Sequence, residues 1–124
     1  MFDNLKNMAG LAGLMKDIPR IRAKLEEVKE RLELIEVNAE TGGGAVHATA
    51  NCKMRIVSIK LDQALLGSLL DAGDETDQAL AEELITGAIN AALEKAQARA
   101  QEEFAAAAGD LGLNLPPGML EGLA

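Results

Sequence analysis

The sequence contains no tryptophan, no tyrosine and only two phenylalanines. Proteins stack the bases of single-stranded nucleic acids on aromatic rings, so the composition excludes a surface of that kind. The single cysteine, Cys52, rules out a disulfide within the chain and fits a reducing compartment. One cysteine and one histidine, His47, do not make a zinc cluster, and we expect no metal site.

A long apolar run is also missing. The longest apolar stretch near the start covers residues 9–15, about seven residues against the roughly 20 that a membrane span needs. Asp3 interrupts the basic front of a signal peptide. We therefore expect a soluble cytoplasmic protein with no membrane contact. The chain shows no nucleophile–base pair either, so we expect no catalytic residues and no small-molecule substrate.

Charge is unevenly distributed along the 124 residues. The net charge of −8 argues against a polycationic nucleic-acid coat. Residues 1–60, however, hold 10 Lys/Arg against 8 Asp/Glu, a net of +2, whereas residues 61–124 hold 2 against 12, a net of −10. A polyanionic partner must therefore be met by the first half of the chain.

The first third of the sequence has the spacing of an amphipathic helix. Its apolar residues recur at alternating steps of three and four, which places them on one stripe of a helix: Leu11, Leu14, Ile18, Ile21, Leu25, Val28, Leu32 and Ile35. Pro19 falls inside this pattern, and proline suits only the first turn of a helix. We therefore predict that the long helix starts near Asp17, which can cap it.

The next segment has the period of β-strands. Residues 37–40, 45–51 and 53–61 are predicted to be three short strands. The Gly42–Gly44 triplet supplies positive φ for the first hairpin, and the second is predicted to turn at Asn51–Cys52. In the third strand, Val57, Ile59 and Leu61 are predicted to share one face, with Ile56 on the other.

Two helices are predicted after the strands. Residues 65–70 form a short one, and residues 76–108 form a long one whose apolar side chains recur at helical spacing: Leu80, Leu84, Ile85, Ile89, Leu93 and Ala96. Small residues at 87, 88, 91 and 92 permit a close approach to a neighbouring element. We predict one α+β domain over residues 1–108 and a flexible tail over 109–124. Because a three-stranded sheet has two edges and little core, we also predict a homodimer.

Several short motifs, in this order, resemble the bacterial nucleoid-associated YbaB/EbfC family. They are the Met-Phe opening with the stretch up to Lys16, Val37-x-x-x-Thr41-Gly42-Gly43-Gly44-x-Val46, Val-Ser-Ile-Lys-Leu-Asp at 57–62, Glu-Leu-Ile-Thr-Gly-Ala-Ile-Asn-Ala-Ala at 83–92 and Leu-Pro-Pro-Gly at 115–118. The second turn departs from many relatives, which have Asn-Gly where this chain has Asn51–Cys52.

The resemblance implies a tweezer-shaped homodimer whose helices project from a shared sheet. It also implies a nucleoid-associated protein that binds double-stranded DNA with weak sequence preference and affects DNA conformation, nucleoid organisation or gene expression. It further implies that the protein has no catalytic activity and no cofactor.

The candidate DNA contacts are the cations of the first helix: Lys16, Arg20, Arg22, Lys24, Lys29 and Arg31. Phosphate contacts need only Lys or Arg within reach. Two interpretations remain open. The cations contact phosphates, or they pair with an acidic helix for which Glu82, Glu83 and Glu94 are candidates. Lys53, Arg55 and Lys60 form a second small basic group.

A protein of another class fits the sequence as well, namely a protein-interaction or chaperone-like scaffold module. Partners retained from a DNase-treated extract would favour it over DNA binding. Two further residues have ordinary expectations. His47 is predicted to lie on the wet face of the sheet. Cys52 is predicted to be inert, with an exposed thiol that forms an intermolecular disulfide as the alternative.

Overall fold

A computed structural model describes residues 2–70 and 75–112, with side-chain environments from residue 17 onward except at 69. The elements are α1 (Phe2–Leu34), β1 (Glu36–Thr41), β2 (Val46–Asn51), β3 (Arg55–Leu61), α2 (Gln63–Leu69) and α3 (Glu75–Asp110). The predicted α+β order is confirmed. Of the predicted tail, residues 113–124 lie outside the described part.

Helix α1 is longer than predicted. It runs from Phe2 to Leu34 with Pro19 inside it, so the predicted start near Asp17 is wrong. A proline inside a helix removes one backbone hydrogen bond and costs about 3 kcal/mol, but it does not forbid the helix. Good helix formers precede it, among them Leu14, Met15 and Lys16.

The three strands form an antiparallel meander in the order β1-β2-β3. All three glycines of the first hairpin have positive φ, at 64°, 65° and 100° for Gly42, Gly43 and Gly44, as predicted. A residue with a Cβ is destabilised by about 1 kcal/mol or more at positive φ, which accounts for glycine at all three positions.

The second hairpin differs from the two-residue turn predicted at Asn51–Cys52. Asn51 ends β2, and its side-chain oxygen accepts hydrogen bonds from the backbone N–H groups of Lys53 at 2.9 Å and Arg55 at 3.3 Å. This bonding closes a loop over residues 52–54, so the left-handed residue is Met54, with φ of 62°.

A β-bulge changes which side chains of β3 face the core. Ala50 pairs with Ile56 while Thr49 pairs with Ser58, which leaves Val57 as the extra residue. Since opposed residues share a face, Ile56 lies on the same face as Ile59 and Leu61. The prediction that Val57 takes this place, with Ile56 opposite, is wrong, because a strict alternation contains no bulge.

Helix α3 packs on the sheet through alanines. Ala88, Ala92 and Ala96 are completely buried at steps of four residues, opposite the buried small side chains of β1 and β2, such as Ala39 and Ala48. Small side chains on both layers let the helix approach closely. The expected large residues flank this line and are only partly buried: Leu80, Leu84, Ile85, Ile89 and Leu93.

A second apolar cluster joins α1 to the far half of α3. Val28 and Leu32 of the predicted stripe pack with Phe104, Ala100 and neighbouring buried residues. Leu25 and Ile35 lie partly buried beside them. The stripe is therefore confirmed over residues 25–35, whereas Ile18 remains 42% exposed and Leu11 and Leu14 lie outside the described side chains.

Helix α2 starts two residues earlier than predicted. Asp62 caps it, because its carboxylate accepts a hydrogen bond from the backbone N–H of Leu65 at 3.0 Å. The backbone N–H of Asp62 in turn donates to the carbonyl oxygen of Ala45 at 2.8 Å, which fixes the end of β3 beside the first hairpin.

Candidate nucleic-acid interface

Helices α1 and α3 lie antiparallel along the segment that carries the basic residues. Three contacts show the direction of the two helices: Arg31 with Glu103, Lys24 with Asp110, and Arg20 with the carbonyl oxygen of Leu111. Successive contacts run toward the start of α1 and toward the end of α3. At about 1.5 Å per residue, the 36-residue α3 extends roughly 54 Å. One half of it covers the sheet and the other half pairs with α1.

Three of the six candidate cations face α3. The Nζ of Lys24 lies 3.3 Å from Oδ2 of Asp110 and 3.8 Å from Oε2 of Glu27. The Nε of Arg31 lies 3.2 Å from Oε2 of Glu103, and a guanidinium N–H of Arg20 donates to the oxygen of Leu111 at 3.0 Å. The interpretation that the cations pair with an acidic helix is therefore correct for Lys24 and Arg31, whereas Arg20 contacts a backbone carbonyl just past the end of α3.

The predicted acidic partners are wrong. Glu82, Glu83 and Glu94 make no ion pair with α1 among the described residues, and all three are exposed. Their half of α3 lies over the sheet, because the alanines at 88, 92 and 96 are on that half. The carboxylates that meet α1 come instead from the last turns of α3, which the length of the helix carries past the sheet.

The other candidates of α1 are outward or outside the described side chains. Arg22 is exposed and has no ion pair with a described residue. The side chain of Lys29 is 48% exposed, and its Nζ lies 4.0 Å from Oε1 of Glu26, which is a loose contact. Arg22 and Lys29 are seven residues apart, so they lie on the same face of the helix, two turns from each other. The side chain of Lys16 is not described.

The second basic group is spread over the sheet. The Nζ of Lys53, in the second hairpin, lies 3.9 Å from Oε2 of Glu33 near the end of α1. Arg55 and Lys60 are exposed, and neither has an ion pair with a described residue. His47 is exposed on the wet face, as predicted, with Nδ1 3.6 Å from Oε2 of Glu40.

Cys52 lies where the second hairpin meets α1 and α3. Its backbone N–H donates to the carbonyl oxygens of Leu32 and Ile35, both at 3.1 Å, and only 3% of the residue is exposed. Burial raises the pKa of the Cys52 thiol above its ordinary 9.0; the positive charge of Arg99 opposes this shift and the negative charge of Glu103 adds to it. A buried, protonated thiol is inert, so the alternative of an exposed thiol is wrong.

The outer edge of β3 is an apolar surface that the sequence reasoning did not locate. Ile59 and Leu61, on the face toward α3, are 37% and 48% exposed, because α3 covers β1 and β2 and barely reaches β3. The bulged residue Val57 is 50% exposed. The opposite edge is different: the ammonium of Lys95 donates to the carbonyl oxygen of Asn38 on β1 at 2.9 Å. No described side chain bonds to the backbone of residues 56–61 in this way.

The described residues offer neither a metal centre nor a membrane-spanning helix. No group of three or more His, Cys, Asp or Glu side chains there is arranged to hold a metal ion. In that same part of the chain, every helix is too short or too polar to cross a membrane.

Comparisons with known proteins agree with this arrangement. The sequence model of the YbaB/EbfC DNA-binding family matches residues 7–111. Among solved structures, the crystal structure of the uncharacterized protein HP0035 from Helicobacter pylori is similar, with a TM-score of 0.56 and 17% sequence identity. The alignment covers 74% of this chain and 86% of that one, and at this identity it shows a shared fold.

Proposed function

Since the chain belongs to the YbaB/EbfC DNA-binding family and is a nucleoid-associated DNA-binding protein, we propose that it binds double-stranded DNA as a homodimer with weak sequence preference. Binding of this kind affects DNA conformation, nucleoid organisation or gene expression. The protein acts without catalysis or a cofactor, and it works in the nucleoid of the cytoplasm.

The cations of α1 carry this proposal. Arg22 and Lys29 project from one exposed face, two turns apart, and Arg20, Lys24 and Arg31 line the adjacent side toward α3. Lysine and arginine contact phosphates without reading bases, which agrees with weak sequence preference. The described structure offers no row of aromatic side chains, so stacking on single strands has no support.

The homodimer is supported by the difference between the two sheet edges. The ammonium of Lys95 donates a hydrogen bond to the carbonyl oxygen of Asn38 on β1, whereas β3 presents an unpaired backbone edge beside Ile59 and Leu61. An exposed apolar edge strand is a template for pairing with another strand. Pairing β3 with its copy about a two-fold axis makes one continuous sheet and covers Ile59 and Leu61 of both subunits. It also brings two α1–α3 pairs into one assembly.

The test of DNA binding is a salt titration of fluorescence anisotropy with short labelled duplexes of two unrelated sequences. We expect similar affinities for both, falling steeply as salt rises from about 50 to 200 mM because each phosphate contact releases counterions. Affinity that is independent of salt, or confined to one sequence, would contradict the proposal.

Arg22→Gln with Lys29→Gln identifies the surface. The double variant should lower the salt slope by roughly two units per subunit, since each lost phosphate contact removes about 0.9. Lys60→Gln is the matched control, because Lys60 is also exposed and without an ion pair to a described residue but lies on the sheet. Equal effects of the two changes would move the DNA away from α1.

A further inference from the structure

We propose that α3 restrains DNA binding through Asp110 and Glu103. In the free protein these carboxylates form ion pairs with Lys24 and Arg31, and DNA phosphates must displace them. This inference rests on the proposed function. It makes the end of α3 an internal competitor for the same cations that meet the duplex, and it assigns a role to the acidic half of the chain.

In both ion pairs the cation is bound by an anionic oxygen, which is also what a DNA phosphate presents. Carboxylate and phosphate oxygens are both anionic acceptors for lysine and arginine. Asp110 lies 3.3 Å from Lys24, and its side chain is 68% exposed, so the pair is open to exchange with an approaching phosphate. The partner ammonium is more covered, with 22% of the Lys24 side chain exposed.

The Arg31 pair is set more firmly. Glu103 bridges Arg31 at 3.2 Å and Arg99 at 3.1 Å, and its side chain is only 16% exposed. The contact with Arg31 Nε is an ion pair and not an aligned hydrogen bond, because that buried Nε has no hydrogen-bond acceptor. Since 42% of the Arg31 side chain is exposed, a phosphate can approach it and displace Glu103, which then retains its pair with Arg99.

Position along the helices limits the restraint to one side of α1. Arg22 and Lys29 are exposed, form no ion pair with a described residue of α3 and are available for the first encounter with DNA. Lys24 and Arg31 become available only when their carboxylates are displaced. The restraint therefore lowers affinity without blocking access, and it weakens as salt screens the pairs.

The test measures duplex affinity at low salt for Asp110→Asn, Glu103→Gln and the matched control Glu94→Gln. Glu94 is an exposed carboxylate on α3 that makes no ion pair with α1. Asp110→Asn and Glu103→Gln should each bind about two- to fivefold more tightly, the range that corresponds to an exposed ion pair. Each should also steepen the salt slope, because added salt no longer relieves the restraint by screening the ion pair. Glu94→Gln should change little.

A double variant separates specific pairing from bulk charge. In the Lys24→Gln background, Asp110→Asn should give no gain, because the cation that it releases is absent. An equal gain from Glu94→Gln, or a gain that persists without Lys24, would overturn the inference and leave repulsion by net charge as the cause.

Failure of the inference can be told apart from failure of the proposed function. If the unmodified protein binds duplex DNA with a steep salt slope but Asp110→Asn does not tighten it, only the restraint by α3 is wrong. If the unmodified protein shows no salt-sensitive binding, the proposed function is wrong and the inference falls with it. Asp110 is exposed, so its variant keeps the test decisive even where Glu103→Gln disturbs the helix pair.

Discussion

The hydroxyl of Thr41 donates a 2.6 Å hydrogen bond to the backbone carbonyl oxygen of Leu84. This bond ties the last residue of β1 to α3 across a separation of 43 residues. One turn along the helix, Gly87 has no side chain, and a Cβ there would lie 3.4 Å from the methyl carbon of Thr41. The bond and the small residue together set the distance between helix and sheet.

Thr41→Val keeps the shape of the side chain and removes the donor. We expect the free energy of unfolding to fall by about 1 kcal/mol, the net value of an ordinary hydrogen bond, measured by urea denaturation. Thr49→Val is the matched control, because Thr49 donates to Asn38 on the open face of the sheet, away from α3. A loss at Thr49 as large as at Thr41 would show that the contact with α3 is not special.

The alanine layer predicts a strong asymmetry between the faces of α3. Ala92→Val adds two methyl groups to a completely buried site against the sheet and should cost about 1–3 kcal/mol through overpacking. Ala98→Val places the same side chain on an exposed position of the same helix and should cost only the difference in helix propensity, under about 0.7 kcal/mol. Equal losses of unfolding free energy would contradict the close packing.

The buried thiol predicts a pH effect with a definite sign. Since the pKa of Cys52 is higher in the folded chain than in the unfolded one, its contribution to stability is complete below the ordinary 9.0 and is lost as pH rises toward the folded pKa. Urea denaturation from pH 8 to pH 10 should therefore show a smaller decline for Cys52→Ala than for the unmodified protein. The two declines being equal would contradict this assignment.

Accessibility of the same thiol gives an independent measurement. The folded protein should react with Ellman's reagent at least about tenfold more slowly than the protein in guanidinium chloride, because the thiolate is both disfavoured and covered. A rate close to that of the unfolded chain would place the thiol at the surface.

The open edge of β3 predicts where the dimer is sensitive. Ile59→Lys should convert the dimer to monomer in sedimentation velocity, because it would put a charge into the apolar surface that the joined sheet covers. Leu34→Lys is the matched control, since Leu34 is 82% exposed at the end of α1, away from β3. A dimer that survives Ile59→Lys, or is lost with Leu34→Lys, would put the interface elsewhere.

Local rules were sufficient for the elements and for one of the two turns. Alternation predicted the strands, and three glycines predicted a turn with positive φ, because both depend on neighbouring residues alone. The apolar stripe of α1 was correct at Val28 and Leu32, since a helix period marks a buried face whatever covers it. The start of α1 was wrong because a proline penalty is a cost to be offset and not a prohibition.

The site was harder to predict because it depends on how far α3 extends past the sheet. The pattern gave the cations of α1 but not their partners, since nothing in the sequence states whether Glu83 or Glu103 lies beside Arg31. Choosing between them requires knowing that the alanines at 88, 92 and 96 pack the first half of α3 against the sheet. The β3 bulge is likewise decided by pairing with Ala50 and cannot be found from alternation.

The antiparallel pairing of α1 with the end of α3 has a consequence for folding during synthesis. Leu32 leaves the ribosome 72 residues before its partner Phe104, a delay of about 4–14 s at roughly 5–20 residues per second. Both hairpins are synthesised within that interval, whereas Val28 and Leu32 lack their cover from α3 until Ala100 and Phe104 emerge. The first helix to be made is thus covered only when nearly the whole described chain has been synthesised.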